Sequence, residues 1–267
     1  MKKILFIGAG RMATAIAGGM VNKNYKSESI AAYDINELAC QKFTEATTVC
    51  AVSENIEKYI TQADVVFLAV KPQFLAGAVG QVSELLKSKL IISIVAGVSL
   101  EKLQNLTGSE RLVRVMPNTP ALVGKGCSGF TVSEAVSLEE EEFCKSILDS
   151  VGISFKLPEK LMDAVTAVSG SGPAYVFEFA DSLAEGGVAC GLPAELSMEM
   201  AIATLEGAAA MLKETKIHPS ILKDQVTSPG GTTMRALQYM DSKEFRNILI
   251  KAVEAACERS KELGRDA

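Results

Sequence analysis

The residues of this chain best suited to chemistry lie in two glycine-bearing segments, each of which opens a helical pattern. Gly8-Ala9-Gly10-Arg11-Met12-Ala13 follows directly on the apolar run Ile4-Leu5-Phe6-Ile7. In a segment of this kind Gly8 permits a tight turn, Gly10 lets backbone approach a pyrophosphate, and Ala13 keeps the helix close to its strand. Ser228-Pro229-Gly230-Gly231-Thr232-Thr233, near the C-terminus, is a second helix start. Its unpaired N–H groups and flanking hydroxyls suit a smaller anion such as a substrate carboxylate. A dinucleotide site and an acid site together point to an oxidoreductase.

Asp34 ends the second expected strand, where an acidic side chain accepts hydrogen bonds from the adenosine ribose and repels a 2′-phosphate. No Lys or Arg follows, since Ile35-Asn36-Glu37 come next, so charge favours NADH over NADPH. The plainer role for Asp34 is to start the turn into the next helix. Three residues compete as proton or hydrogen-bond donors to substrate. His218, the single histidine, invites a general-acid role, but its place before Pro219 in a helix-entry turn favours a structural one. Lys71 ends a strand and can reach a phosphate or polarise a substrate group. Thr233 can donate its hydroxyl to a reacting nitrogen while neighbouring N–H groups hold a carboxylate. Ser169-Gly170-Ser171-Gly172-Pro173 is a third small-residue loop, suited to close backbone packing and to facing an anion.

The elements that must position these residues divide the chain. Up to about residue 156, β-branched runs alternate with amphipathic segments, the pattern of a parallel sheet covered by helices. Strands are expected at Ile4–Ile7, Ile30–Tyr33, Thr48–Ala51, Val65–Val70, Leu90–Val95 and Leu112–Val115. Asn36, Ser53, Ser99 and Ser137 are expected N-caps, Ser137 with Glu140 as a capping box. Ala69-Val70-Lys71-Pro72, Ala96-Gly97 and Met116-Pro117-Asn118-Thr119-Pro120 then fall at the carboxyl ends of successive strands, the edge where open α/β sheets bind ligands. Beyond Leu157-Pro158-Glu159 only helices are expected. One runs from Pro173 to Cys190 and ends at Gly191, and the next opens with Pro193 in its first turn. The last has Asp241 and Glu244 as a capping pattern and Gly264 as its stop. The expected architecture is an α/β Rossmann-type N-terminal domain with a parallel-rich sheet over residues 1–160, followed by an all-α C-terminal dimerisation domain over 161–267. The stretch Met200 to Leu212 is apolar nearly all round, so partner helices of a homodimer or larger assembly are expected to cover it.

Composition narrows the function. The chain has 267 residues, 48% hydrophobic and 22% charged, with a net charge of -5, which suits a globular protein and offers no basic surface for nucleic acid. Cys40, Cys50, Cys127, Cys144, Cys190 and Cys257 include no C-x-x-C pair, and one histidine is too few for a His/Cys metal set, so no metal site is expected. Met1-Lys2-Lys3 and the following apolar residues imitate a signal peptide, but Gly8 to Arg11 cut the run. No apolar stretch is long enough to cross a bilayer, and a cytoplasmic location is expected.

Several strings carry a resemblance. Val168-Ser169-Gly170-Ser171-Gly172-Pro173-Ala174-Tyr175, His218-Pro219 with Leu222-Lys223-Asp224, and Ser228-Pro229-Gly230-Gly231-Thr232-Thr233 are similar to signatures of the pyrroline-5-carboxylate reductase family, as are Ala69-Val70-Lys71-Pro72, Ala96-Gly97-Val98 and Met116-Pro117-Asn118-Thr119-Pro120-Ala121. The resemblance implies a Rossmann domain, a helical domain interlocked with its partner, often in a ring of dimers, and reduction of L-1-pyrroline-5-carboxylate to L-proline by NADH or NADPH. It implies that Thr233 hydrogen-bonds the ring nitrogen, that Ser228, Gly231 and Thr232 hold the carboxylate, and that Ala96, Gly97 and the Asn118 loop line the nicotinamide side. Asp34 departs from relatives suited to a 2′-phosphate. Two other readings stay open. A β-hydroxyacid-type dehydrogenase would need a catalytic lysine on a helix of the second domain, where Lys213, Lys216 and Lys223 lie near helix ends without a supporting pattern. A non-catalytic dinucleotide-binding regulator would have little use for the second anion site.

Overall fold

The computed structural model describes residues 1–266. The chain divides into two compact units, residues 1–171 together with the end of the chain from Ala256, and Gly172–Ala255.

The first unit is built on an eight-stranded sheet: β1 Ile4–Ile7, β2 Ile30–Tyr33, β3 Cys50–Val52, β4 Val65–Leu68, β5 Leu90–Ser93, β6 Leu112–Met116, β7 Gly126–Val132 and β8 Gly152–Lys156. Their order is β3-β2-β1-β4-β5-β6-β7-β8. Every pairing is parallel except β6 with β7. The helices are α1 Arg11–Asn22, α2 Glu37–Thr47, α3 Ile56–Gln62, α4 Leu75–Gly80, α5 Ser83–Leu86, α6 Leu100–Thr107, α7 Leu138–Leu148 and α8 Met162–Val165. β1 shows why its neighbours read as unbroken apolar runs. Ile4 and Phe6 join a core with Ile16, Phe43 and Phe67, whereas Leu5 and Ile7 join another with Ile60, Val66 and Leu68. A strand covered on both faces has no polar positions to spare. Phe6 and Phe67 stack with ring centroids 4.5 Å apart.

The caps explain where the helices start. Asn36 accepts from the Leu38 and Ala39 amides, Ser99 from Lys102, and Ser137 with Glu140 completes the expected capping box. Ser53 caps nothing, because α3 starts later, after Asn55 in a left-handed conformation. Thr48 lies outside β3: it ends α2 with a φ of 60°, so the chain must turn before Cys50 can pair. β7 and β8 were not expected. β7 turns back against β6 after a tight turn at Thr119–Val123, which needs no crossover helix.

The second unit is helical: α9 Gly172–Ala189, α10 Ala194–Thr215, α11 Pro219–Gln225, α12 Thr232–Ser242 and the first part of α13, Phe245–Asp266, whose end from Ala256 belongs to the first unit. Gly191 follows α9 with a φ of 101°, and Pro193 is the N-cap of α10, one position outside the first turn. α9 and α10 pack together, with the buried Ser197 hydroxyl donating to Ala184 O at 2.7 Å. Asp241 lies in the last turn of α12 and caps nothing; the reversal into α13 comes at Glu244, with a φ of 55°. Gly264 does not stop α13, which runs on to Asp266. Met200, Ile202, Met211 and Leu212 on α10 are 41% to 54% exposed, so one chain does not wrap this helix. Among the described residues no helix is long and apolar enough to cross a membrane.

Candidate active site

The glycine segment takes the conformation its residue types demand. Gly8 leaves β1 with a φ of 107°, and a Cβ there would lie 2.6 Å from Ala69 O, so only glycine fits. Its amide donates to Tyr33 O at 2.7 Å, which closes the turn against β2. Gly10 is the N-cap of α1, no side chain caps that helix start, and nothing lies within 4 Å of a Cβ built on Gly10. The start of α1 at Arg11, Met12 and Ala13 therefore presents free amides and a partial positive charge on an open side, a cradle that fits a pyrophosphate. Arg11 is exposed, and Ala13 is buried against the sheet.

Asp34 sits beside this turn. Its Oδ2 accepts from Ala9 N and its Oδ1 from Asn36 N, both at 2.9 Å. The carboxylate thus performs the turn-starting role and also ties the glycine loop to the end of β2. Each oxygen keeps lone-pair capacity for a ribose hydroxyl. Gly8, Gly10, Asp34, Ala69, Val70 and Lys71 line one cleft of about 740 Å³ at the carboxyl edge of the sheet. Pro72 does not line it; it opens the short turn Pro72–Phe74, for which Lys71 is the N-cap.

Ala96 and Gly97 follow β5 on the same edge, Ala96 exposed and Gly97 with a φ of 76°. Asn118 is 7% exposed and its amide is committed within the protein: Nδ2 donates to Ser169 O and Oδ1 accepts from Cys127 N, each at 2.9 Å. The side chain therefore ties the segment after β6 to the π-helical turn Thr166–Gly170, which stands where a loop was expected because the chain stays helical from Met162 into α9 with only a bend at Ser171. Gly170 serves the same contact, since a Cβ there would lie 2.5 Å from Met116 Cε.

In the second unit Ser228, Pro229 and Gly230 are exposed, and Gly230 turns the chain with a φ of 68°. Gly231 is the N-cap of α12, no side chain caps that start, and its amide donates to Ser228 O at 3.0 Å. A Cβ on Gly231 would collide with Ser228 Oγ, so the second glycine brings the serine hydroxyl against the helix entrance. Thr232 and Thr233 are the first two residues of α12, exposed and partly buried respectively. His218 caps α11, its Nδ1 accepting from Ser220 N at 3.3 Å, the structural role its position before Pro219 suggests. The structure thus gathers the glycine loop, Asp34 and the residues after β4 at one cleft, and separately gathers Ser228 to Thr233 around one helix start.

Sequence reasoning missed Arg114 and Glu159. Arg114 Nη1 donates to Glu159 Oε1 at 3.0 Å, and Leu100 N donates to the same oxygen at 2.8 Å. The available signal was an arginine inside the apolar strand run Leu112-Val113-Arg114-Val115-Met116.

A Rossmann-type sheet whose glycine loop opens an uncapped helix, in a chain with a helical second unit, defines a dinucleotide-dependent oxidoreductase. Residues 159–263 match the family described as pyrroline-5-carboxylate reductase dimerisation, and residues 3–97 match NADP oxidoreductase coenzyme F420-dependent. A pyrroline-5-carboxylate reductase of Arabidopsis thaliana is 40% identical over 98% of this chain and 96% of the relative, and one of Glycine max is 42% identical over 97% and 94%. The solved pyrroline carboxylate reductase of Plasmodium falciparum, with NADP bound, aligns with a TM-score of 0.89 at 37% identity over 98% of each chain. This chain belongs to the pyrroline-5-carboxylate reductase family.

Proposed function

We infer that the chain reduces L-1-pyrroline-5-carboxylate to L-proline with NADH or NADPH. The observation that carries this reading is the uncapped start of α12, where Gly231 holds the Ser228 hydroxyl against free amides ahead of Thr233, in a chain with a separate dinucleotide cradle. When bound, the reduced nicotinamide supplies the hydride. The chain's own residues bind and orient. Ser228, Gly230, Gly231 and Thr232 hold the substrate carboxylate, and the Thr233 hydroxyl meets the ring nitrogen. A protonated cyclic imine is already electrophilic, so no strong acid is required and alignment supplies a large share of the rate.

On the cofactor side, Gly8, Gly10, Arg11, Met12 and Ala13 take the pyrophosphate, Asp34 takes the adenosine ribose, and Ala69, Val70, Lys71 and Pro72 form the wall after β4. Ala96, Gly97 and the Asn118 loop face the nicotinamide. Asp34 and the neighbouring Glu37 place negative charge where a 2′-phosphate would lie, which supports a preference for NADH. The functional domains are 1–160 and 161–267. The exposed apolar face of α10 and the dimerisation match over 159–263 support a homodimer interlocked through the C-terminal helices, with a ring of dimers as the larger assembly. The cytoplasm is the proposed location.

The test is oxidation of NADH and of NADPH, followed by absorbance, with purified protein and L-1-pyrroline-5-carboxylate. Proline as product with faster NADH turnover is the expected result. Folded protein that binds either cofactor and oxidises neither would overturn the substrate assignment. Light scattering of the same sample reads the assembly.

A further inference from the structure

The turn at Ala96–Gly97 stands between Val95 and Val98, both buried in the core, and it is braced further from distant parts of the chain. Glu159 is the centre of that brace. Its Oε1 accepts Leu100 N at 2.8 Å and Arg114 Nη1 at 3.0 Å. Leu100 is the first residue of α6, and Ser99 already accepts the Lys102 amide, so the two side chains satisfy two of the orphan donors of this helix start. The Arg114 side chain is 12% exposed and stands on β6 opposite Ser93, the last residue of β5. Ser93 Oγ in turn accepts Val95 N at 3.3 Å. The end of α13 meets the loop directly: a Cβ on Gly264 would lie 3.4 Å from Gly97 O. Ser260 Oγ anchors that turn by donating to Asp163 Oδ1 at 2.7 Å.

We propose that Glu159 is a positioning residue for the nicotinamide half of the cofactor, setting the place of the Ala96–Gly97 backbone through Leu100 and Arg114. The proposal rests on the reading above that this loop faces the nicotinamide. Glu159 does not line the cleft of Gly8, Asp34 and Lys71. Its carboxylate acts because one oxygen serves two donors, one of them a guanidinium with little access to water, so losing it frees the helix start and strands a charge together. The dinucleotide's other half lies on β1, β2 and β4, which do not depend on this brace.

Glu159→Ala in the full chain tests it, with turnover measured alongside affinities for NADH and for ADP-ribose, which lacks the nicotinamide. Turnover should fall about tenfold or more, because small misplacements of reacting groups are costly. NADH affinity should fall, while ADP-ribose affinity stays within about twofold, as expected for independent sites. Glu159→Gln still accepts the Leu100 amide but leaves Arg114 without a counter-charge, and should recover part of the loss. Equal losses of NADH and ADP-ribose affinity, or no change in turnover and NADH affinity, would overturn the proposal. Should Glu159→Ala fail to fold by circular dichroism, Leu100→Pro removes the donor at a first helical position that accepts proline, Leu100→Ala controls for the lost side chain that packs on the core, and the same split is required of the proline variant relative to the alanine one. If the wild-type chain fails to reduce the imine, the reading above falls. The NADH and ADP-ribose comparison still decides the role of Glu159.

Discussion

Asp34 Oδ2 accepts the amide of Ala9 at 2.9 Å, so the acid that ends β2 is also a strut of the glycine loop. The proposed part of Asp34 in cofactor choice and its hold on the loop therefore meet in one side chain. Asp34→Asn keeps an acceptor and loses the charge. It should raise KM for NADH by about tenfold, the scale of one hydrogen bond to a charged group, and narrow the preference over NADPH. Asp34→Ala should in addition lower stability by about 1 to 2 kcal/mol in urea titration through the unpaired Ala9 amide. An unchanged NADH to NADPH ratio in both variants would separate Asp34 from cofactor choice.

Gly231→Ala drives a Cβ into Ser228 Oγ. The Ser228 hydroxyl must then swing away from the helix entrance, and KM for the imino acid should rise about tenfold or more with cofactor affinity unchanged, as for a misplaced binding group. The double variant with Ser228→Ala removes the Oγ collision but should not recover KM, because the hydroxyl is gone.

Thr233→Ala should lower kcat by about tenfold to a thousandfold, the range for losing one well-placed donor at a reacting atom. Thr233→Ser retains the hydroxyl and should stay close to the wild type. Steady-state kinetics that show no change for the alanine variant would remove Thr233 from the mechanism.

Glu140 links stability to pH. Burial pushes its carboxyl up, but the Ser137 amide and hydroxyl and the Arg111 guanidinium outweigh burial and hold it below its ordinary value of 4.5. The sign follows from a folded-state pKa that is depressed. The contribution is complete above pH 4.5 and is lost as pH falls through the ordinary value toward the folded one. Thermal melting followed from pH 6 to about pH 3 should therefore show a shallower acid-side decline for Glu140→Gln than for the wild type. Parallel curves would mean that other carboxylates govern the acid limb.

What could be read in the sequence was local. β1, β4 and β5 were legible because burial on both faces leaves them almost wholly apolar, and Asn36, Ser99 and Ser137 were legible because a cap is defined by its next few residues. Gly126-Cys127-Ser128-Gly129-Phe130-Thr131-Val132 was not. Its glycines and small polar residues resemble a loop, and only pairing with β6 and β8 makes it a strand. The turns at the glycine loop, Asp34 and the α12 entrance were legible because each lies within a short string. Glu159 was not found, because its partners lie 45 and 59 residues away and no local pattern records a bond of that reach. Ser53 failed as a cap for the opposite reason: a good residue type stood two positions too early, and Asn55 took the turn.

The apolar face that α10 leaves uncovered also bears on how the protein is made. A chain that has just completed its own internal packing still carries Met200, Ile202 and Met211 at its surface. In the proposed dimer a second chain covers them, a bimolecular event, so the last stage of maturation should speed up with concentration while every earlier stage does not. Dilute refolding then stalls at a sticky half-finished species, and crowded refolding risks indiscriminate clumping, with the best yield between the two.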